Sequence, residues 1–133
     1  MHSLFQKASG LTESIIGAAI EVHQDRGPGL IESIYEWCLT KEFESRGLSC
    51  LNQKIVVITY EGFTREEPLR FDLLVEDCVL VEAKAVEKIL PIHKAQLLSY
   101  MKLLDIPIGL LINCHEVKLT DGVHRLILPD ANR

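Results

Sequence analysis

No run in this 133-residue chain approaches the roughly 18 consecutive apolar residues that a membrane span requires, and the opening MHSLFQKASG lacks the apolar core of a secretory signal. The expectation is a cytoplasmic protein. Cysteine is sparse and scattered. Cys38, Cys50, Cys78 and Cys114 form no C-x-x-C pair, which leaves a zinc ribbon or redox motif without support and suits reduced thiols packed as small hydrophobes. A surplus of positive charge is also missing: the net charge of -5 excludes a protein that grips nucleic acid by a broad basic face. Any nucleic-acid contact must therefore be local, metal-assisted or weak.

What is present is a core. With 47% apolar residues, the chain is long enough for one compact domain over residues 1–133 and too short for two ordinary ones. Ile15, Ile16, Ala19, Ile20 and Val22 recur at helical spacing from Thr12 to about His23, with Thr12 as a candidate N-cap. RGPG at 26–29 interrupts the pattern. A second helix is expected just after Gly29, with Ile31, Ile34, Tyr35, Cys38, Leu39 and Phe43 as its buried stripe and Gly47 at its end.

Three strands follow in the reading: KIVVITY at 54–60, LRFDLLV at 69–75 and CVLVEAK at 78–84. Pro91 marks the start of a third helix, whose stripe is Ala95, Leu98, Met101 and Leu104. PIGLLIN at 107–113 has the unbroken apolar character of a strand covered on both faces. VKLTDGVHRLIL reads as two strand pieces around an Asp121-Gly122 hairpin turn. A helical crossover makes the third and fourth strands parallel, and the first three form an antiparallel meander. The fold class is mixed α/β, a central sheet flanked by helices.

Charged residues inside the second and third strands stand out. Side chains alternate along a strand, so Glu82 and Lys84 share a face. Asp72 joins them opposite Glu82 if the connection centres on Asp77, which requires a three-residue turn or a bulge; a two-residue turn at Glu76-Asp77 puts it on the wrong face. Facing carboxylates repel unless something compensates. A divalent cation would do so, since Mg²⁺ takes one or two carboxylates together with water and phosphate oxygens. Lys84 would then position the attacking water and stabilise charge on phosphorus. The same three residues also fit a solvent-facing strand surface with a weak ion pair.

Asp72 followed by Glu82-Ala83-Lys84 resembles the signature of the PD-(D/E)XK nuclease superfamily. GLIESIY at 29–35 is similar to the pattern of the GxxExxY protein family, with Gly29, Glu32 and Tyr35 in the defining positions. FDLLVED, VLVEAKAV, HKAQLLSY and GLLIN resemble that family's successive blocks, in order, over nearly the whole chain. Phe71, where a small residue often precedes the acid, and Asn113-Cys114-His115, in place of an Asn-Phe-Gly-like stretch, depart from it.

The resemblance implies a restriction-endonuclease-like αβββαβ core and a nuclease that uses Mg²⁺ or Mn²⁺. Asp72, Glu82 and the Ala83 carbonyl would hold the metal with Glu32, Lys84 would position water, and Gln96 would contribute from the third helix. The implied partner is nucleic acid, DNA ahead of RNA. Helical spacing sets Glu32 and Tyr35 on one face, and His93, Gln96 and Tyr100 on another. Plainer roles exist for several of these residues: Glu32 at a helix N-terminus, Tyr35 and Tyr100 in the core, His93 at a helix start, Gln96 in solvent. The competing functional reading is a catalytically silent binding or assembly module on the nuclease fold. A homodimer that completes a basic groove is a third.

Overall fold

A computed structural model describes Met1–Arg133. Its elements in chain order are α1 (Phe5–Arg26), α2 (Glu32–Ser45), β1 (Cys50–Tyr60), β2 (Phe63–Val75), β3 (Val79–Lys84), α3 (Pro91–Leu104), β4 (Ile108–Asn113), a short 3-10 turn (Leu119–Gly122) and β5 (Val123–Ile127). The five strands lie side by side in chain order. Every neighbouring pair is antiparallel except β3 and β4, which α3 joins as a parallel crossover. No helix is long and apolar enough to cross a membrane.

Strand alternation sorts the apolar residues into two cores. Val79, Val81, Leu110 and Ile112 pack with Ile15, Ala19, Tyr35, Leu39 and Phe43 of α1 and α2. Leu74, Leu80 and Leu111 face the other way, onto Leu97 and Met101 of α3. β4 is buried from Ile108 to Asn113, as its unbroken apolar run requires for a strand sandwiched between two helical layers.

Several boundaries differ from the sequence expectation. α1 starts at Phe5, so Thr12 is no N-cap; its hydroxyl donates to the Ala8 carbonyl at 3.1 Å inside the helix. Buried Ala8 extends the apolar stripe upstream, and tertiary packing of that stripe overrides the local cap signal. In α2, Tyr35, Leu39 and Phe43 are buried at four-residue spacing, whereas Ile31 and Ile34 are 65% and 45% exposed. Ile31 precedes the first turn, and Ile34 lies off the line that meets the sheet. On α3, Leu97 takes the core place assigned to Ala95, which is exposed.

The expected Asp121-Gly122 hairpin is absent. Those residues close a 3-10 turn, and β5 pairs instead with β4, Ile112 opposite Val123 and Ile108 opposite Ile127. A side chain at Gly122 would meet the Asn113 carbonyl at 2.7 Å, so its glycine serves a close approach of two backbones. A genuine hairpin turn occurs earlier. Glu61 and Gly62, both at positive φ (48° and 85°), join β1 to β2 with Tyr60 opposite Phe63. β2 therefore begins at Phe63 and includes Pro68. Proline is tolerated there because β3 pairs only with Leu73–Val75, which leaves the first part of β2 with one neighbour.

Two details of this sheet decide where the charged residues go. β2 and β3 are paired Leu73 with Val81, Leu74 with Leu80 and Val75 with Val79, around a Glu76-Asp77-Cys78 connection of the expected three residues. Glu76 and Asp77 both adopt positive φ to close it. Between β1 and β2 the register breaks: Leu51 faces Leu74, Gln53 faces Arg70, and Phe71, Asp72 and Leu73 share the place opposite Asn52. Across that bulge Leu74 and Phe71, three apart, both join the α3-side core, which unbroken alternation forbids. Asp72 sits in the bulge.

Candidate metal and phosphodiester site

Where the β2–β3 ladder ends, the Asp72 side chain reaches across to β3. Its Oδ2 accepts the Ala83 N–H at 2.8 Å, so a carboxylate does the work of a missing strand carbonyl. That bond fixes Asp72 beside Glu82 and Lys84, which flank Ala83 and point to the opposite side from its buried methyl group. Both Glu82 and Lys84 are half-buried. The backbone beneath them is pinned: the Cys114 N–H donates to the Lys84 carbonyl at 2.8 Å, and buried Asn113 bridges Val86, accepting its N–H at 3.2 Å and donating to its carbonyl at 2.8 Å.

The electrostatics are those of crowded acids in a partly dry cleft. Burial, more than any neighbour, pushes the Asp72 carboxyl up; the Ala83 N–H pulls it back, the Glu32 charge adds to the rise, and Lys84 opposes it. Glu82 is likewise raised first by burial, with Lys84 opposing and Asp72 and Glu32 reinforcing. Its Oε2 is buried and has no hydrogen-bond partner in the protein. An ionised oxygen in that position costs free energy unless a cation or donor arrives to meet it.

α2 delivers two further acids. Glu32 lies in its first turn, where the helix N-terminus favours negative charge. Glu36, one turn on, stands with Asp72 in the wall of one cavity. Burial, then the Asp72 and Glu32 charges, push Glu36 up to about 7. The sequence reading did not single out Glu36, although its four-residue spacing from Glu32 was a usable signal.

The structure thus brings Asp72, Glu82, Lys84 and Glu32 into one electrostatic cluster and adds Glu36. Gln96 is exposed on α3 and donates no hydrogen bond to Asp72 or Glu82. His93 accepts the Leu90 N–H at 2.9 Å and caps the start of α3. Tyr35 is a core residue whose hydroxyl donates to the Ala19 carbonyl at 3.3 Å. Its place in G-x-x-E-x-x-Y has a local rationale: Gly29 turns the chain at φ 82°, Glu32 opens α2, and Tyr35 anchors that helix to α1.

No three His, Cys, Asp or Glu side chains are gathered so as to hold a metal ion among themselves. The donor set still fits a cation that keeps most of its own water. Asp72 and Glu82 could offer two hard oxygen ligands on adjoining strands, and the unpartnered Glu82 Oε2 has the chemistry such an ion takes.

A family model described as PD-(D/E)XK nuclease superfamily matches residues 9–126. Among solved structures, the crystal structure of SSO0001 is similar in fold, with a TM-score of 0.59 at 20% sequence identity over 73% of this chain and 50% of that one. The chain therefore spans half the length of that protein. No curated protein matches the sequence. The mixed sheet between helical layers is the restriction-endonuclease-like fold.

Proposed function

We propose, from the premise that this chain belongs to the PD-(D/E)XK nuclease superfamily, that it hydrolyses phosphodiester bonds of nucleic acid with a divalent cation, Mg²⁺ or Mn²⁺. Within the superfamily, Gly29, Glu32 and Tyr35 fit the GxxExxY group. One observation carries the reading: Glu82 presents a buried, unpartnered carboxylate oxygen beside Asp72 and a lysine.

Asp72, Glu82 and the Ala83 carbonyl would hold the cation, which when bound supplies charge neutralisation and Lewis acidity toward phosphate and water. The protein's own groups do the rest. The Ala83 N–H orients Asp72. Lys84, held by the clamp on its carbonyl, positions the attacking water and offsets negative charge as it builds on the phosphoryl oxygens. Glu32 acts from the rim through its charge, and Gln96 through the exposed side of α3, where an incoming strand passes. DNA is the first substrate to try, ahead of RNA.

Glu82→Gln keeps the side-chain volume and removes the charge. Hydrolysis of single- and double-stranded DNA by this variant should fall by at least about a hundredfold, and unchanged hydrolysis rules the role out. The acid excess of the chain, -5, favours a second reading, a module that keeps the fold without turnover. Calorimetric titration with Mn²⁺ separates them, because Asp72-dependent binding belongs to the enzyme.

A further inference from the structure

A cavity of about 290 Å³ opens beside the site, between α2 and the start of β1, with Asp72 in one wall. Glu36, Glu44, Asn52 and Gln53 supply its other main polar groups. The size is at the low end for ligand pockets, which run from roughly 300 Å³ upward, so it suits a planar ring more than a whole nucleotide. Its lining contains no lysine, arginine or histidine. A phosphate would meet only acidic and neutral groups there. The walls favour an occupant rich in N–H donors.

The sheet supplies the matching recognition groups. Asn52 stands at the register break, facing the three-residue bulge that contains Asp72, so one irregularity both aims the aspartate and opens the strand pair next to it. Asn52 and Gln53 are exposed, with side-chain amides free of hydrogen bonds inside the protein. Glu44 engages exposed Lys41 through Oε2 at 3.4 Å and keeps its other oxygen free.

We propose that this cavity receives an unpaired nucleobase bearing an exocyclic amino group, next to the phosphodiester bond that lies over Asp72 and Glu82. The inference rests on the phosphodiesterase reading of that cleft and names its substrate as single-stranded nucleic acid. Carboxylates accept hydrogen bonds from an exocyclic amino group, and the two amides complement a ring nitrogen or carbonyl. Thymine and uracil place a carbonyl oxygen where the amino group would be, facing acids that repel it. A base inside a duplex enters only by leaving its stack, which costs a few kcal/mol.

Fluorescence anisotropy with labelled hexanucleotides tests this on the full chain, with EDTA present so that no strand is cut. Oligo-dC and oligo-dA should bind about tenfold more tightly than oligo-dT and more tightly than a duplex of the same length. The double variant Glu44→Gln, Asn52→Ala, which removes an acid and an amide from the walls, should bring the base preference close to one while its melting temperature stays near the parent's. Equal binding of all strands, tighter duplex binding, no detectable binding, or a preference that survives the double variant overturns the assignment. Because turnover plays no part, a chain with the base preference and no hydrolysis in Mg²⁺ loses the phosphodiesterase and keeps the pocket.

Discussion

At the scale of single residues, the site is a set of acids that disagree about their protons. Glu36 is the sharpest case, since its carboxyl rises from an ordinary 4.5 to about 7 in the fold. A raised folded value means the fold prefers the protonated form. The associated stability is therefore complete below about pH 4.5 and drains away as pH climbs through about 7. Glu36→Gln removes the ionisation. In metal-free protein at pH 8 the variant should be more stable than the parent by roughly 1 kcal/mol, solvent screening at a partly exposed carboxyl having reduced the effect. At pH 4 the two should coincide. Urea unfolding at both pH values checks this, and a gap of equal size at each would show that Glu36 acts by packing alone. The pairing was unreadable from the sequence because it depends on how α2 crosses the sheet, although the Glu32 to Glu36 spacing was visible.

Elements succeed or fail here by what they lean on. The end of β3 is held by Asn113 on β4, which satisfies both backbone groups of Val86 and also accepts the His115 N–H at 3.2 Å. Asn113→Ala leaves those groups without their partner in a partly buried place, a loss of roughly 1–3 kcal/mol. Amide exchange at Val86 should speed up together with it; an unchanged exchange rate would mean that the clamp is dispensable. Gly122 is a second such point. An added methyl group meets the Asn113 backbone oxygen at 2.7 Å, which cannot rotate away as a side chain can. Gly122→Ala should cost roughly 1–3 kcal/mol in thermal or denaturant unfolding, and a neutral result would argue that the turn shifts freely. Both residues explain why the Asp-Gly hairpin signal misled: β4 offered Val123–Ile127 a long-range partner, and tertiary pairing outweighed local turn preference.

For the whole molecule, the decisive quantity is charge. A chain at -5 with four carboxyl groups gathered at the cleft has few phosphate contacts to make through lysine and arginine. Nucleic-acid affinity should therefore depend weakly on salt, falling by less than about tenfold between 50 and 200 mM, where a protein with six or more phosphate contacts loses about a thousandfold or more. Binding isotherms across that range, at fixed divalent cation, give the slope. A steep one would point to a basic surface assembled by a second copy.

Element order as far as β4, the parallel β3–β4 crossover and the shared phase of Glu82 and Lys84 were determined by the sequence, which left a three-residue turn or a bulge between β2 and β3. Each depends on local periodicity or on connection length, which neighbouring residues set by themselves. The start of α1, the fate of Asp121-Gly122, the burial of Leu97 in place of Ala95 and the approach of Glu36 to Asp72 were decided only by the tertiary structure. These depend on which distant surface buries a stripe or supplies a hydrogen-bond partner, and on a bulge that sets three residues of β2 opposite one of β1.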